Sequence, residues 1–268
     1  MIPKIIHYCW FSGEPMPPEV LDCIASWRRF CPDWELRLWD MDAIRDIDNR
    51  FMREALSVKK WAFAADYVRV YAVERYGGVY LDTDVKIIAP IDHLLNCRFF
   101  IGREEILAYD VTFLAGITSH CFGGEKGHPF LRDCLTYYEN QPFIYSTSPR
   151  LPDVLKYNLR IAPLIQALIA AYNYGYNSNA MADYRQDIKE GIVVYPSDVF
   201  PKITQGVTPN TLTTHLTLGS WIQNSTPAEA NFQPPALPLW RRIISRFNLR
   251  NRFVRLLRRM GYIAVRVD

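Results

Sequence analysis

No stretch of this chain approaches the ~20 consecutive apolar residues that a spanning helix needs, so no membrane-spanning helix is expected. The N-terminal stretch MIPKIIHYCWF has one lysine and a short apolar run, without the small-residue cleavage site of an export signal. The six cysteines form no CxxC pair and show no zinc-type spacing. They are therefore expected to be reduced thiols that fill the core of a cytosolic protein.

The chain also lacks the uniformly basic charge of a nucleic-acid-binding protein. Nine arginines and one acidic residue fall between Leu237 and Asp268, a balance of +8. Because the net charge is +3, the rest of the chain carries −5. This asymmetry indicates a mildly acidic body with a basic tail, and no nucleic-acid partner is expected.

Strand and helix patterns alternate from the start of the chain, and no internal repeat interrupts them. Strands are predicted in KIIHYCWF, WELRLWD, VYL, CRFFIGRE and GIVVYP, and helices in PPEVLDCIASWRRFCP, SVKKWAFAADYVRVYAVERYGG, HPFLRDCLTYYEN and RIAPLIQALIAAYNYG. This alternation favours an α/β fold with a largely parallel sheet, in which ligands bind beyond the carboxyl ends of the strands.

Two aspartates follow the predicted strand VYL, one residue apart. If the backbone stays extended, Asp82 and Asp84 point to the same side and repel each other. A cation relieves that repulsion, and paired carboxylates suit Mg²⁺ or Mn²⁺ together with substrate phosphates. The alternative is a solvated Asp-Thr-Asp turn after an edge strand.

A second charged pair lies on the strongest predicted helix, which Gly77 and Gly78 terminate. Asp66 and Arg69 are three residues apart and share a face, which is also the spacing of an exposed ion pair. Their small apolar neighbours favour burial instead. A buried pair needs partners, and a ribose hydroxyl or a diphosphate would serve.

These motifs, taken in order, resemble the glycosyltransferases of family 32, the DXD sugar-binding group of bacterial capsule and lipopolysaccharide enzymes and fungal initiating mannosyltransferases. The matching blocks run from residue 2 to residue 221: IPKIIHYCWFSG, SWRRFCPDWELRLWD, AADYVRVYAVERYGGVYLDTDV, GGEKGHPFL, STSPRLPDVL and HLTLGSW. The resemblance implies a GT-A type nucleotide-sugar-binding fold, a nucleotide-diphosphate-sugar donor, a divalent metal and retention of anomeric configuration.

The resemblance also implies roles for individual residues. Asp82 and Asp84 correspond to the pair that holds Mn²⁺, or Mg²⁺, with the ribose and phosphates of the donor. Asp66 and Arg69 are similar to the pair that contacts the donor sugar and ribose. Arg69 joins the two aspartates as a predicted catalytic residue, because its guanidinium can stabilise the leaving diphosphate.

Three further residues are implied by the same resemblance. Trp10 resembles an aromatic residue that lies against the nucleobase, which favours a UDP-sugar, whereas the alternative is a core tryptophan. His215 and Trp221 resemble a pair that closes over the metal and the diphosphate, with His215 as a metal ligand. The chain departs from the family at three places: Ser119-His120 replaces Asn-Ala, Ser148 replaces a glycine, and Thr214-His215 replaces paired histidines.

Two other functions compete with sugar transfer. Haloacid-dehalogenase-like phosphohydrolases also place DxD after a hydrophobic strand, and Asp82 would then be the nucleophile. That motif normally lies near the start of the chain, and no late acidic pair completes a Mg²⁺ site here. A non-catalytic sugar-binding module is the other alternative, because Trp and Tyr are abundant.

The predicted organisation is a glycosyltransferase domain over residues 1–225, a Pro-rich linker over 226–238 and a basic amphipathic helical tail over 239–268. Apolar stripes in the tail alternate with arginine, which suits a helix lying on an anionic membrane through residues 240–260. The alternative is a tail that packs on the acidic body. The chain is expected to be a cytoplasmic, peripheral membrane enzyme with a glycan or lipid-linked glycan acceptor.

Overall fold

The computed structural model of the chain describes residues 1–109, 112–179 and 181–218. The strands are β1 (Ile5–Cys9), β2 (Glu35–Trp39), β3 (Gly78–Leu81), β4 (Val85–Ile87), β5 (Phe99–Tyr109), β6 (Thr112–Gly124), β7 (Gln186–Ile188), β8 (Ile192–Tyr195) and β9 (Thr213–His215). The helices are α1 (Pro18–Phe30), α2 (Arg50–Ser57), α3 (Trp61–Tyr76), α4 (Pro129–Glu139), α5 (Asp153–Lys156) and α6 (Ala162–Ile169). The predicted linker and basic tail lie outside the described residues.

Seven strands form one sheet in the order β2-β1-β3-β6-β5-β8-β7. Five of them run in one direction, whereas β6 and β7 run antiparallel to their neighbours. The predicted α/β class with a mixed, largely parallel sheet is confirmed. The carboxyl ends of β1 and β3 lie side by side, since these strands pair directly in parallel.

Apolar side chains cover both faces of the sheet, because alternate residues of each strand point to opposite sides. Val79 and Leu81 of β3 pack with Trp27 of α1, whereas Tyr80 packs with Val68 of α3 on the other face. Residues two positions apart on β3 share a side, so the residue that follows the strand continues the α3 side. This alternation places Asp82 over α3.

Helix α3 is buried on all sides from residue 64 to residue 70. It ends at Gly77, as predicted, where φ is 71° and the backbone N–H donates to Val73 O over 2.8 Å. A Cβ atom on Gly78 would lie 2.7 Å from Ile5 O. The glycine pair therefore lets β3 begin directly against β1.

A two-stranded antiparallel ribbon, β4 and β9, stands beside the carboxyl edge of the main sheet. Its register pairs Val85 with His215. Helix α1 holds the ribbon through the Trp27 indole N–H, which donates to Val85 O over 2.7 Å, and through Ser26 Oγ, which accepts from Ile87 N over 3.0 Å. The ribbon therefore brings His215 next to the residues that follow β3.

The six cysteines, all within the described ranges, form no disulfide, and five of them are buried. This agrees with the prediction of core thiols. Within the described ranges, no helix combines the length and the apolar character that crossing a bilayer requires.

Candidate functional site

Asp82 and Asp84 lie in a tight turn directly after β3. Val85 N donates to Asp82 O over 3.0 Å, and Asp82 N donates to His120 O of β6 over 2.9 Å. The predicted convergence of the two carboxylates assumed an extended backbone, and the turn shows that the backbone is not extended here. The carboxylates still converge, because the turn folds Asp84 back toward Asp82.

Asp84 is tied to the end of the described chain by three contacts. His215 Nε2 lies 3.1 Å from Asp84 Oδ1. Leu218 N donates to Asp84 Oδ2 over 3.0 Å, and Leu216 N donates to the backbone oxygen of Asp84 over 2.9 Å. The ribbon and these contacts together fix the imidazole against the carboxylate.

Arg69 lies under this edge and is almost completely buried, with 5% of its side chain exposed. Its Nη2 lies 3.1 Å from Asp66 Oδ1 and 3.3 Å from Asp82 Oδ1. Nη1 donates to Ser119 O over 2.7 Å, and Nε donates to Ala65 O over 3.2 Å. The predicted burial of the pair is confirmed, but these donors bind protein oxygens, so contact with the donor stays a prediction.

Burial and the neighbouring groups both shift the pKa values of this cluster. Burial, together with the charge of Asp82, raises the pKa of Asp66 to about 7 although Arg69 opposes the shift. Burial alone would raise the pKa of Asp84, but the His215 contact and the Leu218 N–H lower it below its usual value. Burial likewise opposes the rise in the pKa of His215 that its contact with Asp84 produces.

Tyr80 is a site residue that sequence reasoning missed. Its hydroxyl donates to Asp82 Oδ1 over 2.8 Å, and its ring lies under the Arg69 guanidinium, 4.9 Å from Cζ to the ring centroid. Burial first, and then the charge of Asp82, raise its pKa well above its usual value, so the hydroxyl stays a donor. Strand periodicity was the available signal, because residues 80 and 82 share a side.

The three residues predicted to bind a metal lie together. One ligand atom each from Asp82, Asp84 and His215 lies within 4.8 Å of the others. The imidazole Nδ1 of His215 is buried and has no hydrogen-bond partner in the described part of the chain. Arg69 faces the carboxylates of Asp66 and Asp82, whereas Asp84 faces His215. The O,O,N donor set of Asp82, Asp84 and His215 fits a divalent cation such as Mn²⁺.

Trp10 and Trp221 complete the set of predicted site residues. Trp10 follows β1 at the same edge of the sheet and is partly exposed, and its indole N–H donates to Glu14 O over 2.7 Å. Its position beyond a carboxyl end agrees with the prediction, and its contact with a nucleobase stays a prediction. Trp221 lies outside the described residues.

The GGEKGHP block lies at the opposite edge of the sheet, because Gly124 pairs with Gly78 at the start of β3. His128 accepts from Phe130 N over 3.3 Å at the start of α4, and its Nε2 lies 3.1 Å from Glu190 O. A Cβ atom on Gly123 would lie 2.4 Å from the Phe100 ring. This block therefore supports the scaffold and is remote from the site.

Comparison with known families gives a match in the first half of the chain. Residues 17–100 match the model of a family described as "Glycosyltransferase sugar-binding region containing DXD motif". The matched stretch contains the whole of α3 and the turn with both aspartates. The resemblance to the DXD sugar-binding group is thereby confirmed over these residues.

Two curated relatives are fission yeast proteins. Inositol phosphoceramide mannosyltransferase 3 of Schizosaccharomyces pombe is 32% identical over 161 residues, which cover 55% of this chain and 43% of the relative. Inositol phosphoceramide mannosyltransferase 1 of the same yeast is 24% identical over 232 residues, which cover 82% of this chain and 62% of the relative. The chain spans about half the length of the curated relatives it matches.

A solved structure of the galactosyltransferase LgtC, in complex with donor and acceptor sugar analogs, is also similar to this chain. It superposes with a TM-score of 0.40 and a sequence identity of 13%. The superposition covers 98% of each chain.

Proposed function

We propose that this chain is a metal-dependent, retaining glycosyltransferase with a GT-A type fold. The donor is a nucleotide-diphosphate-sugar. The observation that carries the proposal is the convergence of Asp82, Asp84 and His215 at the carboxyl edge of β3. That convergence occurs beside a stretch that matches a DXD sugar-binding region.

Asp82, Asp84 and His215 would hold the divalent ion, Mn²⁺ or Mg²⁺. When bound, the ion neutralises the negative charge that develops on the leaving diphosphate, without proton transfer. The protein holds both carboxylates in position before a donor binds. The Leu218 N–H and the ribbon hold Asp84, and Tyr80 and Arg69 hold Asp82. Preorganised groups of this kind need no rearrangement during the reaction.

Asp66 and Arg69 form the donor side of the proposed site. Arg69 fixes the carboxylates of Asp66 and Asp82 relative to each other. Asp66 would accept a hydrogen bond from a hydroxyl group of the donor sugar or ribose, in line with the role that the resemblance implies. Trp10 would pack against the nucleobase, for which a UDP-sugar is favoured. Trp221 would close over the diphosphate.

The proposed acceptor is a glycan or a lipid-linked glycan in the synthesis of a bacterial surface polysaccharide. The relatives' names support a lipid-anchored acceptor, since they describe mannose transfer to inositol phosphoceramide. The same names make GDP-mannose a necessary member of any donor panel, beside the UDP-sugars.

The proposal is tested by incubating the full chain with Mn²⁺ and a panel of UDP-glucose, UDP-galactose, UDP-N-acetylglucosamine and GDP-mannose. A glycosyltransferase releases the free nucleoside diphosphate from one donor, and the release is faster with an acceptor present than when water is the only acceptor. Release of inorganic phosphate would instead indicate a phosphohydrolase that uses Asp82. No product, together with a melting shift, would indicate a sugar-binding module. A ligand at 100 times its Kd should add about 2.7 kcal/mol to the free energy of unfolding.

The proposed membrane location gives a separate prediction. The full chain should float with liposomes that contain phosphatidylglycerol, because anionic lipid attracts the basic tail. It should not float with liposomes of neutral phosphatidylcholine. Binding should weaken as salt rises, since salt screens this attraction. A flotation gradient at low and high salt measures both effects.

Two altered proteins serve as controls for this prediction. The first ends at Pro235, and the second is the full chain with Arg255, Arg258 and Arg259 replaced by glutamine. Each replaced arginine should cost about 1 kcal/mol of binding. Equal flotation of the full chain and of the protein that ends at Pro235 would contradict a membrane role for the tail.

A further inference from the structure

His120 contacts two of the three proposed metal ligands, although no motif marks it in the sequence. Its backbone oxygen accepts from Asp82 N over 2.9 Å. Its imidazole ring stacks on the ring of His215, with centroids 4.4 Å apart and an angle of 23° between the planes. One residue therefore touches both the first carboxylate and the imidazole of the site.

The His120 ring is itself held in place. It is 3% exposed, and its Nε2 lies 3.2 Å from Phe200 O. A carbonyl oxygen only accepts hydrogen bonds, so Nε2 carries the proton that makes this contact. Burial first, and then the charge of His215, lower the pKa of His120 well below its usual value, which keeps the ring neutral.

An irregularity in the pairing of β5 and β6 positions His120. Ile101 pairs with Phe122 and Arg103 pairs with Ile117, so two positions along β5 correspond to five positions along β6. The extra residues of β6 bulge over the site. Thr118 Oγ1 pins the bulge, because it accepts from Gly102 N over 3.0 Å and donates to Cys121 O over 2.7 Å. Bulges beside active sites re-aim side chains in this way.

A metal-binding histidine usually keeps its orientation through a hydrogen bond from its second ring nitrogen. In the described part of the chain, Nδ1 of His215 is buried and has no such partner. The broad face of the His120 ring is in contact with His215 instead. Ring stacking therefore supplies the orientation that a hydrogen bond supplies in other sites.

We infer that His120 is a positioning residue for metal binding, which orients the His215 ring by stacking and Asp82 through its backbone oxygen. This inference rests on the proposed function, because it presumes that the site binds a divalent ion. Loss of the ring should therefore weaken metal binding without removing a ligand.

The experiment compares His120→Ala with His120→Phe in the full chain, since phenylalanine keeps a flat ring but loses the hydrogen bond to Phe200 O. Mn²⁺ affinity is measured by electron paramagnetic resonance without any sugar donor. We expect the alanine variant to bind Mn²⁺ about 10-fold more weakly or worse, as for other residues that orient metal ligands. The phenylalanine variant should bind within about 3-fold of the wild type, well short of that loss.

A second readout separates orientation from general loosening of the fold. Pulsed electron paramagnetic resonance detects the coupling of Mn²⁺ to the nitrogen of His215, and we expect the size of this coupling to change in His120→Ala and to stay at the wild-type value in His120→Phe. Circular dichroism and metal-free melting establish that each variant is folded. Wild-type affinity in the alanine variant, or equal losses in both variants, would overturn the inference alone. Failure of the wild type to bind Mn²⁺ would overturn the proposed metal site and this inference with it.

Discussion

Asp84→Asn should lower metal-dependent sugar transfer by at least about 100-fold, because the loss of a charged ligand costs roughly 3 kcal/mol or more at the transition state. The effect follows from the double role of this carboxylate. One oxygen faces His215 and the other accepts the Leu218 N–H, so asparagine keeps at most one of the two contacts with an oxygen. Turnover is measured against Mn²⁺ concentration with the donor that the panel identifies.

Asp46→Asn is a suitable control for this variant, since the Asp46 side chain is 92% exposed. It should retain wild-type turnover and wild-type Mn²⁺ affinity. Full activity of Asp84→Asn in the presence of a chelator would exclude the metal role of this turn.

The same variant has a pH-dependent effect on stability in the absence of metal. The pKa of Asp84 is lowered from 3.8, so the stability that its ionised form contributes is present above pH 3.8 and is lost as pH falls through the lowered value. The pKa of His215 is raised from 6.5, so the stability that its protonated form contributes is present below pH 6.5 and is lost as pH rises through the raised value. Asp84→Asn should therefore lower the melting temperature more at pH ~5.5 than at pH ~8.5.

Arg69→Met should destabilise the metal-free protein by about 3–5 kcal/mol, the usual cost of removing one partner from a buried ion pair. Arg69 is the cation between Asp66 and Asp82, and methionine leaves both carboxylates without it. Arg69→Lys should recover part of the loss only, because one ammonium group cannot reproduce contacts made by three separate guanidinium nitrogens. Urea unfolding measures the free energy of each variant.

Arg75 is the matched control, since it is exposed in the last turn of the same helix. Arg75→Met should change the free energy of unfolding by about 0.5 kcal/mol or less. The cost of Arg69→Met should also shrink at lower pH. Burial already raises the pKa of Asp66 to about 7, and loss of Arg69 raises it further, so the carboxyl protonates and the penalty falls. Equal stability of Arg69→Met and Arg75→Met would show that Arg69 is not needed in the core.

Strands β1, β2 and β3 and helices α1 and α3 were predictable because their signals are local. The Gly77-Gly78 stop, the small residues of α3 and the short strand before Asp82 each depend on a few neighbouring positions. Strand β6 was not predicted, although it lies in the centre of the sheet. Its bulge breaks the alternation of apolar residues that identifies a strand, and its pairing with β3 depends on contacts far apart in the sequence.

The site residues divide in the same way, between those with a local signal and those that depend on distant contacts. Asp82, Asp84 and the Asp66–Arg69 pair were predictable from spacing, and His215 from a resemblance. His120 was not, because its role depends on a bulge that only the fold reveals. The partners of Arg69 were missed for a similar reason, since Ser119 O belongs to the same bulge. Backbone oxygens carry no signature in the side-chain sequence.

The ribbon of β4 and β9 sets a time at which the site becomes complete during translation. The Leu218 N–H and the Asp84 carboxylate that it binds are 134 positions apart. A ribosome that adds about 5–20 residues per second needs on the order of ten seconds to cover this distance. Throughout that interval the nascent chain carries Asp82 and Asp84 without the imidazole of His215. The proposed sugar transfer depends on all three residues and on the Leu218 N–H, so it can begin only after residue 218 has left the ribosome.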